Sequence, residues 1–413
     1  MVGGIFSVDY MISKQTIEYI VEFLVGKELM PRFEWHDSGW FENPRLPELP
    51  LREFQGMPVL FWKGNKPDFV ASTYFLMSRY EELLNKERDA HGRFPGKASI
   101  PYKAGFIDRP IIDEYARYLK QSLGGTVTEG RITKLWLTHD VDLPFEKRGL
   151  IGRIRDVVGI LRRQHQLTFQ PIWEYVCGRS NPDCFDWILE FDASSRRDSE
   201  LPVEAVYFIL AREDGSSRDN WYLDDRRWPG LLDRFRKYGV ALGLHASYAA
   251  GGDMASVSED VLRLETSGVL KPLEPNGRRL NRHHFLRMTD PADFRFLEEA
   301  GFTDDFSVGY ADVVGFRVGT CRPYRWINPR NGLVGKLVVH PMTIMECTLD
   351  AYMGLSREQS FAYCEKMISR VAEHRGECVL LWHNPSLCPI PGNWQRELYV
   401  YCSEISAKGG WVQ

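Results

Sequence analysis

The sequence predicts an α/β protein. Three observations lead there: short apolar runs alternate with helical stretches beyond about residue 128, several of those runs end in a histidine or an aspartate, and a mixed α+β stretch precedes them.

In order, Thr16 to Val25 is apolar but interrupted by Glu18 and Glu22, and falls short of the roughly 20 residues that cross a bilayer. It reads as an amphipathic helix. From Pro67 to Arg93, Phe69, Tyr74, Phe75, Met77 and Leu83 recur at helical spacing, which predicts a helix ending near Gly92. A further helix, Ile111 to Leu123, closes at Gly124 and Gly125. The first strongly strand-like segment, KLWLTHDVD, follows, so the boundary is set at about residue 128, with an N-terminal accessory domain over 1–128 and a larger domain over 129–413. There AVYFIL, ALGL and CVLLW read as strands, FRFLEEAG and SREQSFAYCEKMISRVAEHRG as helices. Between Phe169 and Ser199, the residues Trp173, Cys177, Cys184 and Trp187 stand among polar ones without a clear period, which predicts an elaborated connection.

Composition narrows the function classes. Lys plus Arg number 52 against 56 Asp plus Glu, a formal charge of −4 with no basic tract, which argues against a nucleic-acid partner. No run is long and apolar enough to predict a membrane span. The start MVGGIFSVDY lacks the features of an export signal, and the 8 cysteines are scattered without a C-x-x-C pair. Both fit a cytoplasmic protein.

The chemistry is concentrated at strand ends, where catalytic groups of β/α folds converge: LWL-THDVD, ALGL-HASY, VLLW-HNPS, and LNRHHFL as a fourth. In an extended backbone Thr138, Asp140 and Asp142 share one face while His139 and Val141 point to the other. Two carboxylates in one pocket repel, so they call for a metal beside one and an arginine beside the other; an Asp-rich turn is the plainer alternative. His245 is a strand-end imidazole of the kind that binds zinc, and His383 is placed to donate a proton. Arg282 and His284 share one face and His283 the other, so His284 is a further candidate ligand, or part of a solvated surface pair.

Together these segments resemble the NodB-homology domain of polysaccharide deacetylases, carbohydrate esterase family four, over roughly residues 130 to 413. The resemblance implies a distorted (β/α) barrel. THDVD resembles the first motif, which implies Asp140 as catalytic base and Asp142 as metal ligand. LLWH resembles the last, which implies His383 as general acid, and Arg282 resembles the arginine that orients the catalytic aspartate. The second motif normally carries two metal-binding histidines; HASYA keeps His245 and has Ala249 at the other place. His284, standing where the third motif usually has proline, is the expected substitute. The order SRYEE, AHGRF, THDVD, LHASY, RHHFLR, GFRVGT, LWHNPSL resembles a bacterial subgroup with an N-terminal accessory domain, associated with surface-polysaccharide biosynthesis.

The expected activity is removal of an N- or O-linked acetyl group from a carbohydrate, with a divalent metal, zinc before others, held by Asp142, His245 and His284. Arg317 and Tyr324 of GFRVGTCRPY are candidate substrate contacts, and Trp173, Trp326 and Trp382 candidate sugar platforms. Two other readings stand beside this one. They are a non-catalytic carbohydrate-binding or assembly protein and a hydrolase of a non-sugar amide. The particular sugar and the oligomeric state are not legible.

Overall fold

The structure, a computed structural model, describes residues 12–145, 184–211, 219, 222–271, 277–388 and 393–410, with positions 154 and 158. Trp173 and Cys177 lie outside the described residues.

The N-terminal region combines helices Lys14–Val25, Phe69–Met77 and Ile111–Ser122 with two small hairpins, β1 (Arg52–Phe54) with β2 (Met57–Val59) and β3 (Trp62–Lys63) with β4 (Lys66–Pro67). Ser13 caps the first helix, accepting the Thr16 amide at 3.1 Å, and Asp68 caps the second, accepting that of Ala71 at 2.9 Å. The predicted helix from Pro67 to Arg93 is broken. It stops at Met77, Arg79 turns left-handed (φ 58), and only a short turn, Glu81–Leu84, follows. The break lets Arg79 reach back to Glu82 (Nε to Oε1, 2.9 Å).

Among the described residues the remainder carries a sheet of nine strands: β5 (Lys134–Val141), β6 (Val203–Leu210), β7 (Ala241–Ala246), β8 (Leu280–His283), β9 (Asp304–Asp305), β10 (Tyr324–Asn328), β11 (Leu333–Val339), β12 (Ile344–Met345) and β13 (Glu377–His383). Their order is β10-β11-β9-β8-β7-β6-β5-β13-β12, parallel throughout except β10 against β11. Helices Phe185–Asp198, Trp228–Tyr238, Met254–Thr266, Arg357–Glu373 and Gln395–Ala407 supply the alternation that the sequence predicts. The first occupies part of the stretch expected to be an irregular connection.

The sheet curls strongly. Trp136 of β5 packs edge-on against Phe306, beyond β9, with ring centroids 4.9 Å apart, and Val206, Phe208, Leu280 and Val379 complete an apolar interior. Gly243 lets the sheet tighten, because a Cβ there would come within 2.7 Å of the Phe208 ring. Among the described residues the hydrogen-bonded order has two edges, β10 and β12, so the strands described there form an open, curled sheet. One apolar cluster runs from the N-terminal helices (Leu24, Phe75, Ile112) into the outer face of the sheet (Leu137, Leu380).

Candidate metal centre

Parallel register assembles the site. Asp140 lies opposite His383 on β13, and His245 opposite Arg282 on β8, so four strands deliver polar groups to the carboxyl end of one curled face. Alternation along β5 works as the sequence predicts. Thr138 and Asp140 both accept from Arg282 Nη1, at 2.8 and 3.1 Å, while His139 turns into the opposite layer. There His139 meets the Trp382 carbonyl (3.2 Å), Asp192 and Tyr399 (3.1 Å each), a closed structural network.

Arg282 is fully buried. Its Nε donates to the Phe306 carbonyl at 3.1 Å and its guanidinium lies 4.7 Å from the Phe208 ring centroid. It is thereby aimed at Asp140, whose other oxygen stays with the histidines. His245 Nε2 is 3.5 Å from Asp140 Oδ2 and His383 Nε2 is 3.9 Å from it.

Asp142, His245 and His284 offer ligand atoms that all lie within 4.8 Å of one another. Each imidazole is pre-set. His245 Nδ1 donates to the Arg282 carbonyl at 2.9 Å, and His284 Nδ1 is held by the Asp219 carboxylate, which also accepts the Tyr248 amide at 2.9 Å. Both Nε2 atoms are thus turned to Asp142 Oδ1, at 3.3 Å from His245 and 3.8 Å from His284. Asp142 Oδ1 and His245 Nε2 are both buried, lie 3.3 Å apart, and have no hydrogen-bond partner. Two orphaned buried polar atoms facing each other, and a carboxylate with two imidazoles anchored through Nδ1, form a group that could hold a metal ion.

Electrostatics agree. Burial would raise the Asp142 pKa, but His245, His284 and His383 hold it well below the usual carboxylate range. Burial would lower that of His245, yet Asp140 and Asp142 push it up. A cation bound here would compete with protons for these ligand atoms.

His383 stands across the same carboxylates, 3.8 Å from Asp142 Oδ2, and its Nδ1 donates to Glu346 Oε1 at 2.8 Å. Glu346 also accepts the His383 amide (3.0 Å) and the Ser386 hydroxyl (2.8 Å). Glu346, Cys347 and His383 also lie close enough to hold an ion. Three donors on Glu346 Oε1 make it a hydrogen-bonded anchor for the imidazole, while Glu346 Oε2 is buried without a hydrogen-bond partner. Burial acts to lower the His383 pKa, but Glu346, Asp142 and Asp140 outweigh it and carry it to about 10.

Four of the predicted substrate contacts are placed elsewhere. Trp382 is fully buried and donates its indole N–H to the Gln395 carbonyl at 3.1 Å, the necessary opposite of His383 on an alternating strand. Trp326 is buried under the Pro291 carbonyl (3.3 Å). Tyr324 is buried in β10, at the far edge of the sheet. Arg317 is consumed by Glu82 (Nη2 to Oε1, 2.9 Å) and the Gly309 carbonyl (2.8 Å), its guanidinium needing a buried counter-charge. Sequence reasoning missed Glu346 and Asp219. Glu346 ends the short apolar run Ile344–Met345 and carried the same strand-end signal as His383, whereas Asp219 lies in a polar stretch without one.

Comparisons with known proteins complete the description. The sequence profile of a family of unknown function (DUF7033) matches residues 7–127. No curated protein matches the chain. Among solved structures, one described as "putative polysaccharide deacetylase from Mycobacterium smegmatis" is similar, with 13% identity, a TM-score of 0.41, and coverage of 68% of this chain and 86% of that one.

Proposed function

We propose that this chain is a metal-dependent hydrolase that removes an N- or O-linked acetyl group from a carbohydrate, in surface-polysaccharide biosynthesis. The observation that carries the reading is the pair of orphaned, buried acceptors, Asp142 Oδ1 and His245 Nε2, joined by His284 beside an Asp140 fixed by Arg282. The carbohydrate half rests on the motif order THDVD, LHASY, RHHFLR, LWHNPSL, which resembles that of the deacetylases.

Asp142, His245 and His284 would hold a divalent cation, zinc before others, which when bound polarises water and the acyl oxygen. Asp140 Oδ2, free of the Arg282 contact, takes a proton from the attacking water while the water oxygen bonds to the acetyl carbon. His383, anchored through Nδ1 by Glu346, gives its Nε2 proton to the leaving nitrogen or oxygen as the C–N or C–O bond breaks. Acetate and the freed amine or hydroxyl result.

The test is Asp140→Asn, assayed on a panel of acetylated sugars alongside small cyclic and linear amides. The variant is expected to keep its metal and lose turnover by roughly 10²–10⁴-fold, the usual weight of a general base. Near-normal turnover would remove Asp140 from that role. Hydrolysis of amides alone by the wild type would overturn the carbohydrate half, and a metal-loaded wild type inert on the whole panel would overturn the enzymatic reading.

A further inference from the structure

His284 is followed by two non-glycine residues in the left-handed region, Phe285 (φ 59, ψ 11) and Leu286 (φ 51). Consecutive bulky residues there are strained and persist only where the surroundings over-determine them. Leu286 packs against Ala311, Met342, Met345 and Leu381, and Phe285 against Tyr248, but the polar hold on this loop comes from the N-terminal region. Arg93 Nη1 donates to the Phe285 carbonyl at 2.8 Å, the His91 ring packs 4.8 Å from the Phe285 ring, and the His91 carbonyl accepts Arg287 Nε at 2.9 Å. Arg287 extends its other arm to the Tyr248 carbonyl at 2.7 Å, tying the segment after His245 into the same knot.

Arg93 arrives pre-organised. Asp89 accepts the Arg93 amide (2.9 Å), the Arg93 Nε (2.8 Å) and the His91 amide (2.8 Å), and the turn closes through Gly92, left-handed at φ 75. AHGRF is therefore a rigid hook over the loop that presents a metal ligand.

We infer that the Asp89–Arg93 turn is a positioning element of the metal centre, and that Arg93 sets His284 by holding the strained Phe285–Leu286 loop. This rests on the metal-site reading above. The N-terminal region then serves as a clamp on coordination geometry. Without the guanidinium, Phe285 is free to relax toward negative φ, which turns the backbone that carries the His284 ring away from Asp142.

The test is cobalt(II) titration of the full-length chain, followed by visible absorbance, which reports coordination as well as affinity. Arg93→Ala is expected to weaken cobalt roughly 10–100-fold, the range seen when supports of metal ligands are removed, and to shift the absorbance toward that of His284→Ala. Arg93→Met, which keeps the hydrocarbon stem, should behave alike and guards against a folding defect. Arg88→Ala, whose donors serve the Asn85, Glu82 and Glu87 carbonyls, should leave both readings unchanged. Arg93→Ala should add no further loss in a His284→Ala background, because both act through one ligand. Wild-type affinity and absorbance in the Arg93 variants, or full additivity with His284→Ala, would overturn the positioning role and leave the metal site standing. A His284→Ala variant without effect would overturn the metal-site reading itself, and the inference with it.

Discussion

Buried histidines sit among carboxylates at both ends of the nine-stranded sheet, and the two clusters differ in whether their donors and acceptors are all used. At the amino-terminal end His340 donates from Nδ1 to Glu377 (2.7 Å) and from Nε2 to Asp304 (3.0 Å). Glu377 also takes the Trp136 indole N–H at 2.8 Å, and Arg278 links Asp304 to Glu204. Burial acts to lower the His340 pKa, but Asp304 and Glu377 push it up, and Asp304 is held down at about 2. Both imidazole nitrogens are spent. At the carboxyl-terminal end His245 and His284 spend only Nδ1, and their Nε2 atoms converge on an Asp142 oxygen that bonds to nothing. Residue types are shared, so what separates a structural charge cluster from a candidate site is the unfinished valence of its members.

Breaking the closed cluster should have the largest effect. His340→Ala leaves two buried carboxylates without their shared cation, and is expected to cost about 3–5 kcal/mol of stability with metal affinity unchanged. The pH dependence has a definite sign. Folding raises the His340 pKa above its unfolded value near 6.5, so its contribution is fully present below that pH and is lost as pH rises through the folded value. Denaturation of wild type and variant should therefore show a stability gap that narrows at alkaline pH. A gap that widens there would contradict the imidazolium assignment.

The open cluster should respond in the opposite currency. His284→Ala is expected to lower metal affinity roughly 100-fold, with a stability loss of about 1–3 kcal/mol, smaller than that of His340→Ala, because the buried Asp219 carboxylate loses the His284 Nδ1 contact but keeps the Tyr248 amide. His283→Ala should leave affinity within about twofold, because His283 faces Asn281 (3.1 Å) and the Ser307 hydroxyl (3.2 Å) on the other side of β8, and burial keeps it neutral with a pKa of about 3. Titration giving the reverse order would sink the substitution of His284 for a ligand at Ala249.

Period-two alternation made much of this site legible. It put Thr138, Asp140 and Asp142 on one face and His139 on the other, and strand-end position singled out His245 and His383 before any register was known. The same rule, applied to the strand before His383, turns Trp382 away from the site, although its residue type alone places it among the candidate sugar platforms. Arg317 and Tyr324 were not legible, because a loop sequence such as GFRVGTCRPY does not say whether its arginine meets solvent or a buried Glu82 from 235 positions away. The α/β alternation was clear, but the break at Arg79 was not, since helical spacing of apolar residues continues past a backbone that turns left-handed to satisfy an ion pair. Asp219 and the hook from Asp89 to Arg93 are products of tertiary juxtaposition, and no local pattern carries them.

Metal content bears on the central claim most directly. Wild-type protein and Asp142→Ala, purified without chelator and titrated with zinc, should bind about one ion per chain and close to none, respectively, with both chains folded. Equal zinc stoichiometry in the two would contradict the assignment of Asp142, His245 and His284 as one metal centre.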